Sequence, residues 1–210
     1  MALKTKVKIC GVKTPHAARA AREAGADFIG LIFAGSARRV DISAACRIRE
    51  AAGGVPLVGV FKNQPLAFVL AAAARCVLDI VQLHGNEPPE WLDEISLPVF
   101  RSVAVGADGK FSFPLDAWAK ARAFVFDRAR ADGTSGGAGQ PFCWRGLELG
   151  AMAAKAVIAG GLTPGNVGQA IRALHPFAVD VAGGVEIDGE KSPELIREFI
   201  KNARGADADA

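Results

Sequence analysis

The chain has 210 residues, half of them apolar and 22% charged, with a formal net charge of +3. That length suffices for a sizeable hydrophobic core, and that apolar content excludes disorder for the bulk of the chain. There is no run of five basic residues to suggest nucleic-acid binding, and the longest apolar stretch, residues 66–74, falls far short of the ~20 residues of a membrane span.

Taken in chain order, short apolar runs alternate with longer stretches of helical period. Residues 7–10 read as a strand and 15–24 as a helix, with Thr14 as cap, Pro15 in the first turn and Gly25 as the stop. Strands at 28–33, 57–61 and 80–84 follow, each with a helix after it, at 43–52, 65–75 and 89–95. A strand at 99–105 precedes a weaker helix at 115–122. A strand at 123–127 leads through a Gly-rich loop to a helix at 142–153. The last two units pair strands at 156–159 and 178–181 with helices at 164–174 and 193–203. Near-continuous apolar strands separated by helices imply parallel pairing with both faces covered. Eight such units predict a single (β/α)8 (TIM) barrel over residues 1–204, with 205–210 as a frayed tail. An open dinucleotide-binding sheet would require G-x-G-x-x-G after the first strand, and Gly11-Val12-Lys13 does not supply it.

The N-terminal lysines at positions 4, 6 and 8 break up any signal-peptide core, so a cytoplasmic location is expected. Cys10, Cys46, Cys76 and Cys143 show neither zinc nor disulfide-framework spacing, and the three histidines are far apart. No metal site is expected.

In such barrels the chemistry sits at the C-terminal ends of the strands. This selects Cys10, Lys13, Arg38, Arg39, Lys62, His84, Arg101, Asp127, Asp180 and Glu186. Gly160-Gly161 and Gly183-Gly184 end the seventh and eighth strands, where backbone amides commonly hold phosphate; the plainer alternative is a pair of tight turns. The loop from Gly133 to Gly139 either closes over a ligand and adds amides to the phosphate site, or has no role. Asp127 suits a general acid, or a cap or ion-pair partner for Arg128 or Arg130. Cys10 suits a reactive thiol favoured by Lys8 and Lys13, or a packed core residue. Of the two arginines after the second strand, Arg38 suits a carboxylate clamp and Arg39 solvent. His84 reads as a packed core residue, or else as a group that supports the site residues from behind, the first being preferred, while Arg101 and Asp180 receive no role beyond orienting a sugar.

Several segments together resemble the phosphoribosylanthranilate isomerase family. They are Lys8-Ile9-Cys10-Gly11-Val12, Gly25-Ala26-Asp27-Phe28-Ile29-Gly30, Val81-Gln82-Leu83-His84-Gly85, Gly136-Gly137-Ala138-Gly139, Ala159-Gly160-Gly161-Leu162 with Pro164 and Asn166, and 176–181 with Gly184-Val185-Glu186. They run in family order along essentially the whole chain. The resemblance implies an Amadori rearrangement of N-(5′-phosphoribosyl)anthranilate in tryptophan biosynthesis, with no metal or organic cofactor. It implies Cys10 as general base, Asp127 as general acid and Arg38, from Ser36-Ala37-Arg38, as the anthranilate-carboxylate ligand. Phosphate is then expected at Gly137, Gly160, Gly161, Gly183 and Gly184. The expected partner is the small phosphorylated substrate, without nucleic acid or membrane, and the protein is expected as a monomer or homodimer.

The rim departs from the family pattern at Lys13, Gln140-Pro141, Cys143-Trp144 and Ala182-Gly183, and in a shortened loop at Ala34-Gly35-Ser36 that lacks the usual proline. Lys13 is expected to place a cation near Cys10. These departures keep two alternatives open: a diverged isomerase of another phosphorylated sugar, and a phosphosugar-binding barrel without catalysis.

Overall fold

A computed structural model describes residues 4–128 and 146–208. Eight parallel strands close on themselves in sequence order: β1 (Lys6–Cys10), β2 (Phe28–Ile32), β3 (Leu57–Phe61), β4 (Ile80–Leu83), β5 (Val99–Val105), β6 (Ala123–Arg128), β7 (Ala156–Ile158) and β8 (Ala178–Val181), with β8 pairing back to β1. The predicted barrel is therefore the observed one.

Helices α1 (Pro15–Ala24), α2 (Ile42–Ala52), α3 (Leu66–Arg75), α5 (Val167–Leu174) and α6 (Pro193–Ala208) coat its outside. α1 shows why the segment folds as it does: the Thr14 side chain accepts from the Ala17 amide, Pro15 opens the first turn, and Gly25 turns left-handed at φ 88° to end the helix.

The other side of the shell is thinner than the sequence suggests. The segment 89–95 forms one turn, α4 (Trp91–Glu94), hemmed by Pro88-Pro89 before it and Pro98 after it. The segment 115–122 forms only a 3₁₀ turn, Leu115–Trp118. Lys155 Nζ donates to the carbonyls of Ala119 and Ala121, at 3.2 and 3.3 Å, and satisfies groups that a longer helix would have paired. The helix expected at 142–153 lies outside the described residues up to 145, and its described part enters a 3₁₀ helix, Gly150–Lys155. At the C-terminus α6 runs through Ala208 rather than fraying at 205, and Ala206 is buried. None of the described helices is long and apolar enough to cross a membrane.

Two apolar layers follow from strand alternation. Outward residues such as Ile9, Leu31, Phe61 and Phe126 meet the helices, while Phe28, Val58, Ile80, Phe100, Val125 and Val157 fill the barrel. Above that apolar floor the interior becomes polar, with Lys8, Gln82, Ser102, Asp127 and Asp180 all buried. Buried charge is costly unless paired, so this change of chemistry marks the functional end of the barrel.

The opposite end is held by aspartates just before even-numbered strands. Asp27 accepts from the Val7 amide at 2.8 Å and from Arg204 of α6 at 2.6 Å, and Asp79 accepts from the Leu57 amide at 2.7 Å. Burial would raise the Asp27 carboxyl, but Arg204 and the Val7 amide outweigh it and hold it below the ordinary carboxylate range. A depressed folded-state value adds stability above the unfolded value of ~3.9, and that contribution disappears as pH falls through the folded one. Asp27→Asn is thus expected to cost about 1 kcal/mol at neutral pH, discounted for partial exposure, and progressively less below pH ~4. Urea unfolding of the two proteins at both pH values checks this.

Candidate active site

The polar end opens into a cavity of about 770 Å³. Among its lining residues are Cys10, Arg38, Asp127, Gly160, Gly161, Gly183 and Gly184, gathered from β1, β6 and the loops after β2, β7 and β8. These are all the proposed site residues except Gly137, which lies outside the described residues, as do Gln140, Pro141 and Cys143.

Cys10 ends β1 and points inward opposite Gly30 of β2. A Cβ at position 30 would lie 2.7 Å from the Cys10 sulfur, so the glycine makes room for the thiol. Two residues earlier on the same face, Lys8 is completely buried and donates to Asp180 of β8 at 2.8 Å. The charge of the same ammonium acts on the Cys10 thiol. Burial pulls the Lys8 pKa down, but Asp180 and Cys10 outweigh it and push it up to about 12. Lys8 and Asp180 thus form a buried ion pair beneath the thiol. For Cys10, burial raises the pKa above the ordinary thiol value; Lys8 and Lys191 pull it down, and Asp180 pushes it up.

Lys13, expected near Cys10, is instead held away from it. Its Nζ donates to Glu190 Oε1 at 2.7 Å and to the Gly189 carbonyl at 3.3 Å, on the hairpin formed by β9 (Glu186–Ile187) and β10 (Glu190–Lys191).

Asp127, the penultimate residue of β6, lines the same cavity as Cys10 and is 8% exposed. The packed-core reading of His84 does not hold, because the residue lines the cavity with its Nε2 3.8 Å from Asp127 Oδ2. His84 Nδ1 lies 2.8 Å from Ser102 Oγ and 3.2 Å from Gln82 Nε2. The imidazole is therefore oriented from the barrel interior. Arg101, on the opposite face of β5 from Ser102, is excluded from the cavity. It donates to the carbonyls of Leu83 and Gly85 at 2.9 and 2.7 Å and lies 4.6 Å from the Trp118 ring, bracing the wall. Arg39 is not among the lining residues, whereas Lys62 is.

The glycine loops are compact. Gly160 and Gly161 have φ values of 79° and 68°, a backbone conformation that suits glycine. The Asn166 side chain pins this turn by accepting from the Thr163 amide at 2.8 Å and donating to the Gly161 carbonyl at 3.0 Å. A Cβ on Gly184 would overlap the Leu162 carbonyl oxygen, so the loops after β7 and β8 pack directly together. A Cβ on Gly160 would lie 2.8 Å from Asp127 Oδ1, which sets the carboxylate against the same loop.

Sequence reasoning missed Lys191, Gln82 and Ser102. Lys191 ends the short β9–β10 hairpin, and the other two are interior polar residues of otherwise apolar strand faces. Strand alternation alone identifies Gln82 and Ser102 as inward-facing.

The sequence matches, over residues 7–202, the family described as N-(5′-phosphoribosyl)anthranilate (PRA) isomerase. It is 41% identical over 207 residues to the N-(5′-phosphoribosyl)anthranilate isomerase of Moorella thermoacetica, covering 96% of this chain and 91% of the relative. The fold superposes on the crystal structure of phosphoribosyl anthranilate isomerase from Thermotoga maritima with a TM-score of 0.80, at 34% identity, covering 96% of this chain and 99% of that one. A phosphoribosyl anthranilate isomerase solved in complex with reduced 1-(o-carboxyphenylamino)-1-deoxyribulose 5-phosphate gives 0.76 at 32% identity, covering 96% and 99%.

Proposed function

Since the chain belongs to the N-(5′-phosphoribosyl)anthranilate isomerase family, we propose that Cys10 and Asp127 perform the two proton transfers of its reaction, with Arg38 and the glycine loops holding the two charged ends of the substrate. The protein is the isomerase that converts N-(5′-phosphoribosyl)anthranilate to 1-(2-carboxyphenylamino)-1-deoxyribulose 5-phosphate in tryptophan biosynthesis. The observation that supports this division of labour is that Cys10, Asp127, Arg38 and the two glycine loops all line one cavity.

The reaction requires an acid, then a base. Asp127 donates a proton to the furanose ring oxygen. The C1′–O bond breaks while the anthranilate nitrogen lone pair forms the C1′=N bond, giving an open-chain iminium. The Cys10 thiolate then removes the C2′ proton. The released pair forms C1′=C2′, and the C=N electrons return to nitrogen. The resulting enolamine takes up a proton at C1′ as its C2′ hydroxyl gives one up, and becomes the ketose; the Cys10 thiol then loses its proton to solvent and Asp127 regains one. The iminium is itself the electron sink for the second step. Lys8, two residues before Cys10 on the same face of β1, supports this chemistry by pulling the thiol pKa down against burial. The glycine loops bind the 5′-phosphate through backbone amides, and that remote binding energy positions C2′ over the sulfur.

Alkylation provides a test. Burial raises the Cys10 pKa, so its iodoacetamide reaction, followed by mass spectrometry of the Cys10 peptide, is expected to reach half its maximal rate above the ordinary thiol value of ~8.5. Loss of isomerase activity should track Cys10 modification, and the reduced product should protect against both. Full activity after complete alkylation of Cys10 would remove it from the reaction.

A further inference from the structure

Arg38 is held by other parts of the chain at both its head and its stem. Its Nε and Nη2 donate to the two carboxylate oxygens of Glu186 at 2.8 and 2.7 Å, a bidentate fork across 148 residues of sequence. Glu186 in turn accepts from Lys191 Nζ at 2.6 Å, and that ammonium also donates to the Ala182 carbonyl at 2.9 Å, in the loop after β8. The side chains of Glu186 and Lys191 are 7% and 2% exposed. The stem of Arg38 is fixed as well: it crosses Gly11, where a Cβ would come within 2.6 Å of Arg38 Cδ, and Gly11 has φ 73°. Head and stem are therefore both constrained.

We propose that Glu186, anchored by Lys191, is a positioning residue that presets Arg38 for the substrate carboxylate and so sets the preference for a carboxylate-bearing aromatic amine. The inference rests on the isomerase reading of the pocket. Three features support it. The fork to Glu186 uses Nε and one edge of Nη2, which leaves Nη1 and the other edge of Nη2 as donors for a second carboxylate. Glu186 is tied to the β8 loop through Lys191, so it cannot follow Arg38 toward solvent. The three charges sum to +1, which one substrate carboxylate neutralises. Glu186 thereby immobilises a long side chain whose ordering would otherwise fall on substrate binding.

The opposite possibility is that Glu186 competes with the substrate for Arg38. The two predict opposite signs. With phosphoribosylanthranilate, Glu186→Gln is expected to raise KM about tenfold with kcat within about twofold, the scale of losing one preset side chain. With phosphoribosylaniline, which lacks the carboxylate, KM should not change. Glu186→Asp keeps the charge beside Lys191 but is one methylene too short for the fork, and should show the same selective loss. In an Arg38→Met background neither change should alter the preference between the two substrates. A fall in KM, or an equal rise with both substrates, would overturn the proposal. Calorimetric affinity for the reduced product with and without its carboxylate reads the same preference without turnover. A folded wild-type protein that binds these compounds with the expected preference and does not isomerise phosphoribosylanthranilate would refute the isomerase reading alone; loss of the preference in wild type would refute the positioning role.

Discussion

Cys10→Ala and Asp127→Asn are each expected to lower kcat by about 10²- to 10⁴-fold while leaving the fold and the affinity for reduced product nearly intact. Both residues lie at the C-terminal ends of their strands, Cys10 as the last residue of β1 and Asp127 as the last but one of β6, and line the cavity; neither belongs to the apolar floor formed by residues such as Phe28, Phe100 and Val125. Cys10→Ala removes one sulfur beside Gly30, a place already open to the cavity, so little packing is lost. Asp127→Asn is isosteric but has no carboxylic proton to give to the ring oxygen. The two losses should not add in the double variant, because the steps they serve act on one bound intermediate in sequence. Steady-state kinetics with circular dichroism and calorimetry separates these effects. A variant that retains wild-type kcat would strip that residue of its role.

Removing the cation under the thiol is expected to act on stability and catalysis together. Lys8→Met leaves Asp180, whose side chain is 9% exposed, without its partner at 2.8 Å. Breaking such a pair typically costs about 3–5 kcal/mol, because the remaining charge is uncompensated. The double variant Lys8→Met with Asp180→Leu replaces the pair by apolar groups and should regain most of that loss in urea unfolding. Activity should not return with it. The thiol loses a cation that lowers its pKa, and the alkylation midpoint of Cys10 should move further up in Lys8→Met. If the double variant recovers both stability and turnover, Lys8 serves the fold alone.

Strand boundaries were the most legible part of the sequence. The runs at Leu57–Phe61, Val99–Val105 and Ala178–Val181 are strands over the expected residues, because each is rich in β-branched and other apolar residues, the polar ones among them, Arg101, Ser102 and Asp180, being isolated exceptions or an adjacent pair. Helices were legible where a cap and a stop agreed, as with Thr14 and Gly25. They are shorter than expected after β4 and β5, where prolines flank the single turn of α4 and the chain leaves the 3₁₀ turn at Trp118, with Lys155 meeting the carbonyls of Ala119 and Ala121. At the pocket, strand ends pointed to Cys10 and Asp127 by position. Their surroundings were not legible, because they depend on pairs far apart in sequence: Lys8 with Asp180 across 172 residues, and Arg38 with Glu186 across 148. Only closure of β8 onto β1 brings such partners together. The same closure explains Lys13, whose partner Glu190 lies on a hairpin 177 residues away.

The most direct test of the account is a fluorescence assay with phosphoribosylanthranilate generated in place, run on the wild-type protein and on Cys10→Ala. The account predicts rapid loss of substrate fluorescence with wild type, the ketose 1-(2-carboxyphenylamino)-1-deoxyribulose 5-phosphate as product, and near-complete dependence on Cys10. A folded wild-type protein that leaves the substrate unchanged, or a Cys10→Ala variant that consumes it at the wild-type rate, would contradict it.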